Sequence, residues 1–453
     1  MKSSHKSSGI GLAAPFLCVM ALLTVLSFII PLRPTQSQME KRNLAEFPDF
    51  TWESLVSGSY FDDITLWFSD TFPGREDWLR LSASISSLHG HSEISFTSDI
   101  DLSQPLATVP EVVEHALDSS EPTREVAPDT TSSPEETTPS ATEAPEAGVG
   151  AEENADIELG DGALIQIGDA VFNQVGFSEV YSQQYAASVS RLADAVADQG
   201  IRVISAPAPT AVGIVVDAQY LEKLNCADQD AAIQYLHSLM SDNVITVDTY
   251  AALSPHRDEY VYFRTDHHWT ALGAYYVYAA TCEAAGMTPA SLDSFTVWDQ
   301  GEFEGSLFWR APQPRKLRSD RVDAYIPQGD IDVIVHDSNG GFKPSQLLFD
   351  TTKREVNTKY LTFLGTDYAM TEITNNSLPD GPTCILVKDS FGNAISPFYT
   401  QNYHKIYAID YRKYPVTLKW FVQAHHVDDI IFSPYLIATQ AIDGNDRFSI
   451  LCK

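Results

Sequence analysis

Positive charge is scarce in this chain. Across 453 residues, 29 lysines and arginines stand against 61 aspartates and glutamates, a formal net charge of −32. Phosphate backbones are held by concentrated Lys and Arg, so this balance argues against nucleic acid as a partner and against other polyanions. Cysteine is scarce too: Cys18, Cys226, Cys282, Cys384 and Cys452 are all there are, and no CxxC or CxxxH spacing marks a zinc knuckle. Cys18 falls in an apolar run. The other four allow up to two disulfides, with three connectivities, in an oxidising compartment, or equally four buried thiols. HExxH is missing, so the metalloprotease pair of histidines on one helix face is missing with it. His267, His268, His425 and His426, with Asp428 and Asp429, offer ligand types for a metal, but adjacent histidines usually diverge, and we expect neither metal nor cofactor.

What is present first is a long uncharged stretch. Residues 10–32, IGLAAPFLCVMALLTVLSFIIPL, form an uncharged, mostly apolar run of 23 residues, enough to cross a hydrocarbon layer. No small-x-small cleavage pattern directly follows in RPTQSQMEKR, so the run reads as an uncleaved signal anchor. Lys2 and Lys6 precede it and Arg33, Lys41 and Arg42 follow; the arrangement expected is a short cytoplasmic tail, residues 1–9, with the rest exported. Residues 33–102 form a juxtamembrane segment in which Phe61, Ile64, Trp67, Phe68, Trp78 and Leu81 recur at near-helical intervals, broken at Pro73 and Gly74. At 103–158 the composition turns to Pro, Thr, Ser, Glu and Ala. Such a stretch cannot bury enough apolar surface to offset its ordering entropy. Between Glu111 and Asp161 it holds 15 acids and one base, so nearly half of the charge excess belongs to a linker.

From 159 to 453 apolar strands and amphipathic helices alternate. A helix at 178–199 stopped by Gly200, the strand IRVISA, a helix near 228–242 and the strand VITVD come first. After a helix running to about Gly286 come CILV (384–387), a helix beyond Ser390, KIYAI (405–409), a helix near 416–426 and DIIF (429–432). This spacing predicts an α/β domain with a mainly parallel sheet and helices on both faces, whose ligand crevice lies at the carboxyl ends of the strands.

Two stretches carry chemistry. In CILVKDSFGNAISPFY an apolar strand ends at Val387 and a helix opens near Gly392, which puts Ser390 at a strand-to-helix turn. There its hydroxyl is placed as a nucleophile; Ser390 or Asp389 is equally suited to cap the helix. In RTDHHWTALGAYY, Asp266 and His268 are one residue apart in an extended entry segment, so carboxylate and imidazole can face the same side. A serine hydroxyl needs such a base, and the base needs a carboxylate to fix its tautomer. Asp266 or Thr265 could instead close the amino end of the following helix. Trp269 reads as a core residue. Arg264 is placed either to steer an anionic glycan or to form a structural ion pair. Tyr399, Tyr403, Tyr407, Tyr411 and Tyr414 give the region after Ser390 flat rings suited to sugar faces or to core packing.

TDHHW, KDSFGNA, YAIDYRKYP at 407–415 and the amino-terminal EKRNLAEFP together resemble the bacterial DHHW family, relatives of the SGNH-hydrolase-like alginate O-acetylation proteins. The resemblance spans the juxtamembrane segment and most of 161–453. It implies an exported SGNH-hydrolase-like, flavodoxin-like domain in which Asp266, His268 and Ser390 take triad roles. The turn reads Lys-Asp-Ser and lacks the glycine of the simpler Gly-Asp-Ser esterases. The expected activity is O-acetyl transfer to a cell-surface or secreted polysaccharide through an acyl-enzyme, with a carbohydrate esterase or a non-catalytic polysaccharide-binding or assembly subunit as alternatives. Oxyanion donors would be the Ser390 N–H and the Asn393 side chain, and Arg264, Tyr411 and Arg412 would contact substrate. The relatives' pathways imply an acyl donor supplied by a membrane-bound O-acyltransferase.

Overall fold

The computed structural model describes residues 164–453 apart from 222–223 and 338–339, the strand Ile157–Gly160, and scattered positions between 36 and 110. The chain divides into two compact units, residues 1–92 and 93–453. In the first, Gln36–Ser37 and Arg42–Asn43 pair antiparallel, and Phe47 meets Trp67 edge to face at 4.8 Å. The expected membrane span lies outside the described residues, as does the expected linker except for Val109, Pro110, Ile157 and Glu158. Among the described residues no helix is long and apolar enough to cross a membrane.

The second unit begins with a meander of β1 (Ile157–Gly160), β2 (Leu164–Ile167) and β3 (Ala170–Asn173). Helix α1 (Glu179–Val196) follows. Its Ser178 cap accepts the Tyr181 N–H, and one further 3-10 turn ends at Gly200, whose φ of 75° is the left-handed conformation that glycine adopts without a Cβ clash. Then come β4 (Arg202–Ser205), α2 (Gln229–Ser238), β5 (Val244–Thr246) and α3 (Ala271–Ala284). A hairpin of β6 (Thr296–Phe303) and β7 (Asp320–Ile326) is followed by β8 (Ile331–His336), β9 (Phe342–Ser345) and β10 (Met370–Asn375). The chain closes with β11 (Thr383–Lys388), α4 (Phe391–Tyr399), β12 (Lys405–Asp410), α5 (Leu418–Ala424), β13 (Asp429–Ser433) and α6 (Ile442–Leu451).

One eight-stranded sheet, in the order β9-β8-β10-β12-β11-β13-β4-β5, organises the unit. From β12 to β5 neighbouring strands are parallel, as the alternation of strands and helices predicts. The other edge departs from the expected mainly parallel sheet: β10 pairs antiparallel with β12 and β8, and β8 with β9, so the sheet is mixed. The cause is in the connections. Parallel neighbours need a crossover of a dozen or more residues, usually helical, whereas β8 and β9 are joined by a short turn. The side chains of β11 divide by period two between two cores. Cys384 and Leu386 face α3 and α4, while Ile385 and Val387 face α1, α5 and α6. Each such aliphatic side chain withdrawn from water stabilises the fold by about 1.5–3 kcal/mol, which fixes the central strand and the turn that leaves it.

Cys226, Cys282, Cys384 and Cys452 are four free thiols, so the disulfide alternative does not hold. Burial pushes the Cys282 and Cys452 thiols up to about 12 and Cys384 well above its usual range, which keeps them protonated and inert.

Candidate active site

The site is assembled at the carboxyl edge of the parallel strands. At the end of β11 the chain turns through Asp389 and Ser390 into α4. Ser390 occupies the helix-cap position with φ −62° and ψ −23°, but its hydroxyl makes no cap bond. Asp389 does the local work instead: one carboxylate oxygen accepts the Phe391 N–H at 3.0 Å. The other accepts the Tyr435 N–H at 2.7 Å and the Tyr411 hydroxyl at 3.2 Å. Because Tyr435 follows β13, Asp389 ties the turns after two adjacent strands together. Burial pushes the Asp389 carboxyl up, against the Arg412 guanidinium and the two N–H donors that favour its charged form.

Asp389 having taken the capping bond, the Ser390 hydroxyl is left for another partner, and it lies 2.7 Å from His268 Nε2. On the other side of the ring, His268 Nδ1 is 2.5 Å from Asp266 Oδ1, which also accepts the His268 backbone N–H at 3.0 Å. Three side chains, two of them more than 120 residues from the third, thus form one continuous hydrogen-bonded line. Asp266 and His268 are buried and Ser390 is half-buried. The cap of α3 is Thr270, whose hydroxyl accepts the Gly273 N–H, so neither Asp266 nor Thr265 fills that role.

The segment ahead of α3 is held by the β6–β7 hairpin. Asp320, the first residue of β7, is fully buried and accepts the Arg264 N–H at 2.8 Å, the Thr265 N–H at 2.8 Å, the Thr265 hydroxyl and the Tyr260 hydroxyl. From the hairpin loop, Ser306 N–H donates to the second Asp266 oxygen at 2.7 Å and Gly305 N–H to the Thr265 hydroxyl at 2.9 Å. Gly305 is required by this approach: a Cβ there would stand 2.3 Å from the Asp266 Cβ and 2.5 Å from the Thr265 carbonyl oxygen. Asp266 therefore reaches His268 with its other oxygen already satisfied.

Two aromatic side chains register the histidine segment against the serine helix. The buried Trp269 donates its indole N–H to the Phe391 carbonyl at 3.0 Å. Tyr360, between β9 and β10, lies flat on the His268 ring with centroids 3.9 Å apart and planes 11° from parallel, and its hydroxyl donates to the Ser390 carbonyl at 2.8 Å. Burial, and the Asp266, Asp367 and Asp389 carboxylates around it, push the Tyr360 phenol well above its usual range, so it stays a donor.

The remaining candidates are placed differently. Both ends of the Asn393 amide are engaged: Oδ1 accepts from Lys388 Nζ at 2.6 Å and Nδ2 donates to Asp367 at 2.9 Å, which directs the side chain into the turn and away from an oxyanion role. Arg264 is 2% exposed, packs on the Tyr260 ring and lies near Asp169 and Asp320. Buried among these groups it cannot steer a glycan. Tyr411 is buried against Phe448 with its hydroxyl on Asp389, and Tyr399, Tyr403 and Tyr407 are core residues too. Arg412, part exposed, is bound by Asp410 and Asp367. Burial pushes the Asp367 carboxyl up, but the Lys388 and Arg412 cations outweigh it and hold the group below the usual carboxylate range.

Among the described residues, one group of potential metal ligands converges: Asp266, His267 and His268, with ligand atoms within 4.8 Å of one another. Both ring nitrogens of His268 already have partners in Asp266 and Ser390, and His267 Nδ1 lies 2.9 Å from the Ser306 hydroxyl. His425, His426, Asp428 and Asp429 do not join the group; Asp429 forms a two-pronged pair with Arg202. A crevice beside the line is bordered by Asn173, Thr210, His267, Leu307 and Tyr435, contributed by the meander, the segments following β4 and β13, the segment before α3 and the β6–β7 loop. Sequence reasoning missed Ser306, Asp320 and Tyr360. An acid on the inward-facing side of the alternating strand DRVDAYI is a faint signal for Asp320; Tyr360 sits in a 3-10 segment with no periodicity to expose it.

Comparison with known proteins places this arrangement. No curated protein matches. A DHHW family protein from Eubacterium siraeum is 26% identical, with a TM-score of 0.57 over 64% of this chain and 95% of that one. Bacillus cereus PatB1 is 16% identical, with a TM-score of 0.50 over 64% of this chain and 99% of that one. PatB1 with a sulfonyl adduct is 15% identical, with a TM-score of 0.51 over 62% of this chain and 98% of that one. The likeness to PatB1 is one of fold. The description of the DHHW protein family fits residues 40–409, which include every residue of the Asp266–His268–Ser390 line, and the chain belongs to that family.

Proposed function

We propose that the protein is an exported, membrane-anchored O-acetyltransferase that modifies a cell-surface or secreted polysaccharide, with Ser390 as nucleophile, His268 as base and Asp266 orienting the imidazole. The observation that carries this reading is the pair of contacts on one imidazole, 2.5 Å to Asp266 and 2.7 Å to Ser390. In the first half-reaction Ser390 Oγ attacks the acetyl carbonyl as its proton passes to His268 Nε2. The tetrahedral adduct expels the donor's leaving oxygen, which takes that proton, and an acetyl ester of Ser390 remains. In the second, a sugar hydroxyl gives its proton to His268 and attacks the ester; the proton returns to Ser390 Oγ as it leaves. The Ser390 N–H, with no acceptor among the described residues, is the oxyanion donor in this scheme.

The polysaccharide acceptor, the supply of acetyl groups by a membrane-bound O-acyltransferase and the anchor at 10–32 rest on the motif resemblance and the apolar run. The test is to give the full-length protein a chromogenic acetyl ester, with and without a glycan acceptor, beside Ser390→Ala. Acetyl appearing on the glycan, and lost in the variant, supports the transferase. Release to water alone points to an esterase, and no turnover with unchanged glycan binding in the variant points to a binding subunit.

A further inference from the structure

Tyr360 touches both reacting partners from outside the line they form. Its ring covers one face of His268, 3.9 Å away and 11° from parallel, and its hydroxyl holds the Ser390 carbonyl at 2.8 Å. The same carbonyl accepts the Asn393 N–H in the first turn of α4, at 3.2 Å. Tyr360 itself is fixed. It is 3% exposed and sits edge-on to Phe263 and Phe363, at 6.2 and 5.3 Å, so its ring cannot swing away without opening the core.

We propose that Tyr360 is a positioning residue with two separable parts, an inference that rests on the serine chemistry above. The ring is a flat stop for the imidazole. His268 is held at its two nitrogens by Asp266 and Ser390, and those two contacts define an axis about which the ring could still rock; a surface stacked on its face removes that freedom. Such a surface also suits the charge that appears during reaction, because an imidazolium gains from the negative face of an aromatic ring. The hydroxyl is a brace. By holding the Ser390 carbonyl it fixes the rotation of Ser390 relative to α4, and so the direction in which Oγ leaves the backbone. The His267 and Phe391 rings also border the imidazole, at 3.8 and 4.9 Å, but they are tilted by 37° and 51°, and Tyr360 is the ring that lies flat on it. A displacement of about 1 Å at a reacting centre costs on the order of 100-fold in rate, so the two restraints are of a size that matters.

Phenylmethanesulfonyl fluoride separates these contributions without a polysaccharide or an acyl donor. Ser390 Oγ forms a bond to sulfur, the sulfur–fluorine bond breaks, fluoride leaves as the anion and the serine proton passes to His268 Nε2. Saturation kinetics on the full-length protein give a half-saturating reagent concentration and a maximal rate of labelling, with Ser390→Ala as the control and circular dichroism confirming folding at the assay temperature. In Tyr360→Phe, which keeps the stack and loses the brace, the maximal rate should fall by about tenfold, the worth of one hydrogen bond. In Tyr360→Leu, which loses both, it should fall by about 100-fold. The half-saturating concentration should move by less than about twofold in either, because the reagent itself does not bind Tyr360. If the leucine variant does not fold, Tyr360→Met, which fills similar space without a flat face, takes its place. A role in core packing alone would lower the melting temperature and leave the maximal rate per folded molecule unchanged, and that result overturns the assignment. Equal rates across the variants, with the unmodified protein labelled at Ser390, overturn the Tyr360 assignment alone. Failure to label the unmodified protein overturns the serine chemistry and the assignment with it.

Discussion

A serine hydroxyl at neutral pH is a weak nucleophile, and what distinguishes Ser390 from any other serine in the chain is the company of one imidazole. On the proposed mechanism Ser390→Ala lowers acetyl-ester turnover by at least about 1,000-fold with folding unchanged. Asp266→Asn keeps the shape of the line but cannot hold the same tautomer; turnover should fall by about 100- to 10,000-fold while circular dichroism matches the unmodified protein. A variant within a few-fold of normal would show that Asp266 is a scaffold residue only. At this scale the sequence is legible where chemistry is local. Asp-x-His in an extended segment puts carboxylate and ring on one side, and the strand-turn-helix around Ser390 exposes a hydroxyl; that the two stretches meet came through the resemblance to a family. Arg264, Tyr411 and Asn393 were expected at substrate or an oxyanion and are instead engaged inside the protein. A sequence shows that a side chain is charged or aromatic but not which way its neighbours let it point.

Among elements, the β6–β7 hairpin and the turn into α4 determine the site's precision. Gly305→Ala would drive a methyl group into the Asp266 Cβ, 2.3 Å away, in backbone packed from both sides. Relief requires the loop to retreat, taking the Ser306 N–H from Asp266. We expect a loss of about 1–3 kcal/mol in denaturant unfolding, together with a fall in turnover much larger than any fall in folded fraction. Unchanged stability and turnover would show that the loop does not support Asp266. The parallel strands were readable because they are near-continuous apolar runs, such as CILV and DIIF, set between helical stretches within a few dozen residues. The antiparallel edge was not, since β10 gains its pairing with β8 and β12 from distant chain, and no crossover helix announces β8, β9 or β10. The hairpin support of Asp266 was hidden for the same reason: Asp320 lies 54 residues beyond it, on a strand with no catalytic motif of its own.

For the whole molecule, charge and location matter. Asp367 bridges Lys388 and Arg412 at the carboxyl edge of the sheet, and those cations hold its carboxyl below the usual range despite burial. A carboxylate depressed in the folded state contributes stability in full above its unfolded value, about 4, and loses that contribution as pH falls through the folded value. Melting temperatures measured from pH 7 to pH 3 should therefore show Asp367→Asn less stable at pH 7, with the gap narrowing below about pH 4. A gap that stays constant down to pH 3 would contradict the pairing. Fractionation checks the proposed anchor: the full-length chain should sediment with membranes, and a variant lacking residues 10–32 should not.

The account stands most directly on whether an acetyl group ever resides on Ser390. Full-length protein incubated with an activated acetyl ester, quenched in acid and digested, should yield an acetylated peptide containing Ser390, and added glycan acceptor should discharge it. Under the same conditions His268→Ala should carry no acetyl group on that peptide. Acetylation of the unmodified protein elsewhere, or acetylation of Ser390 that proceeds equally well without His268, would contradict the claim that these side chains form an acyl-transfer centre.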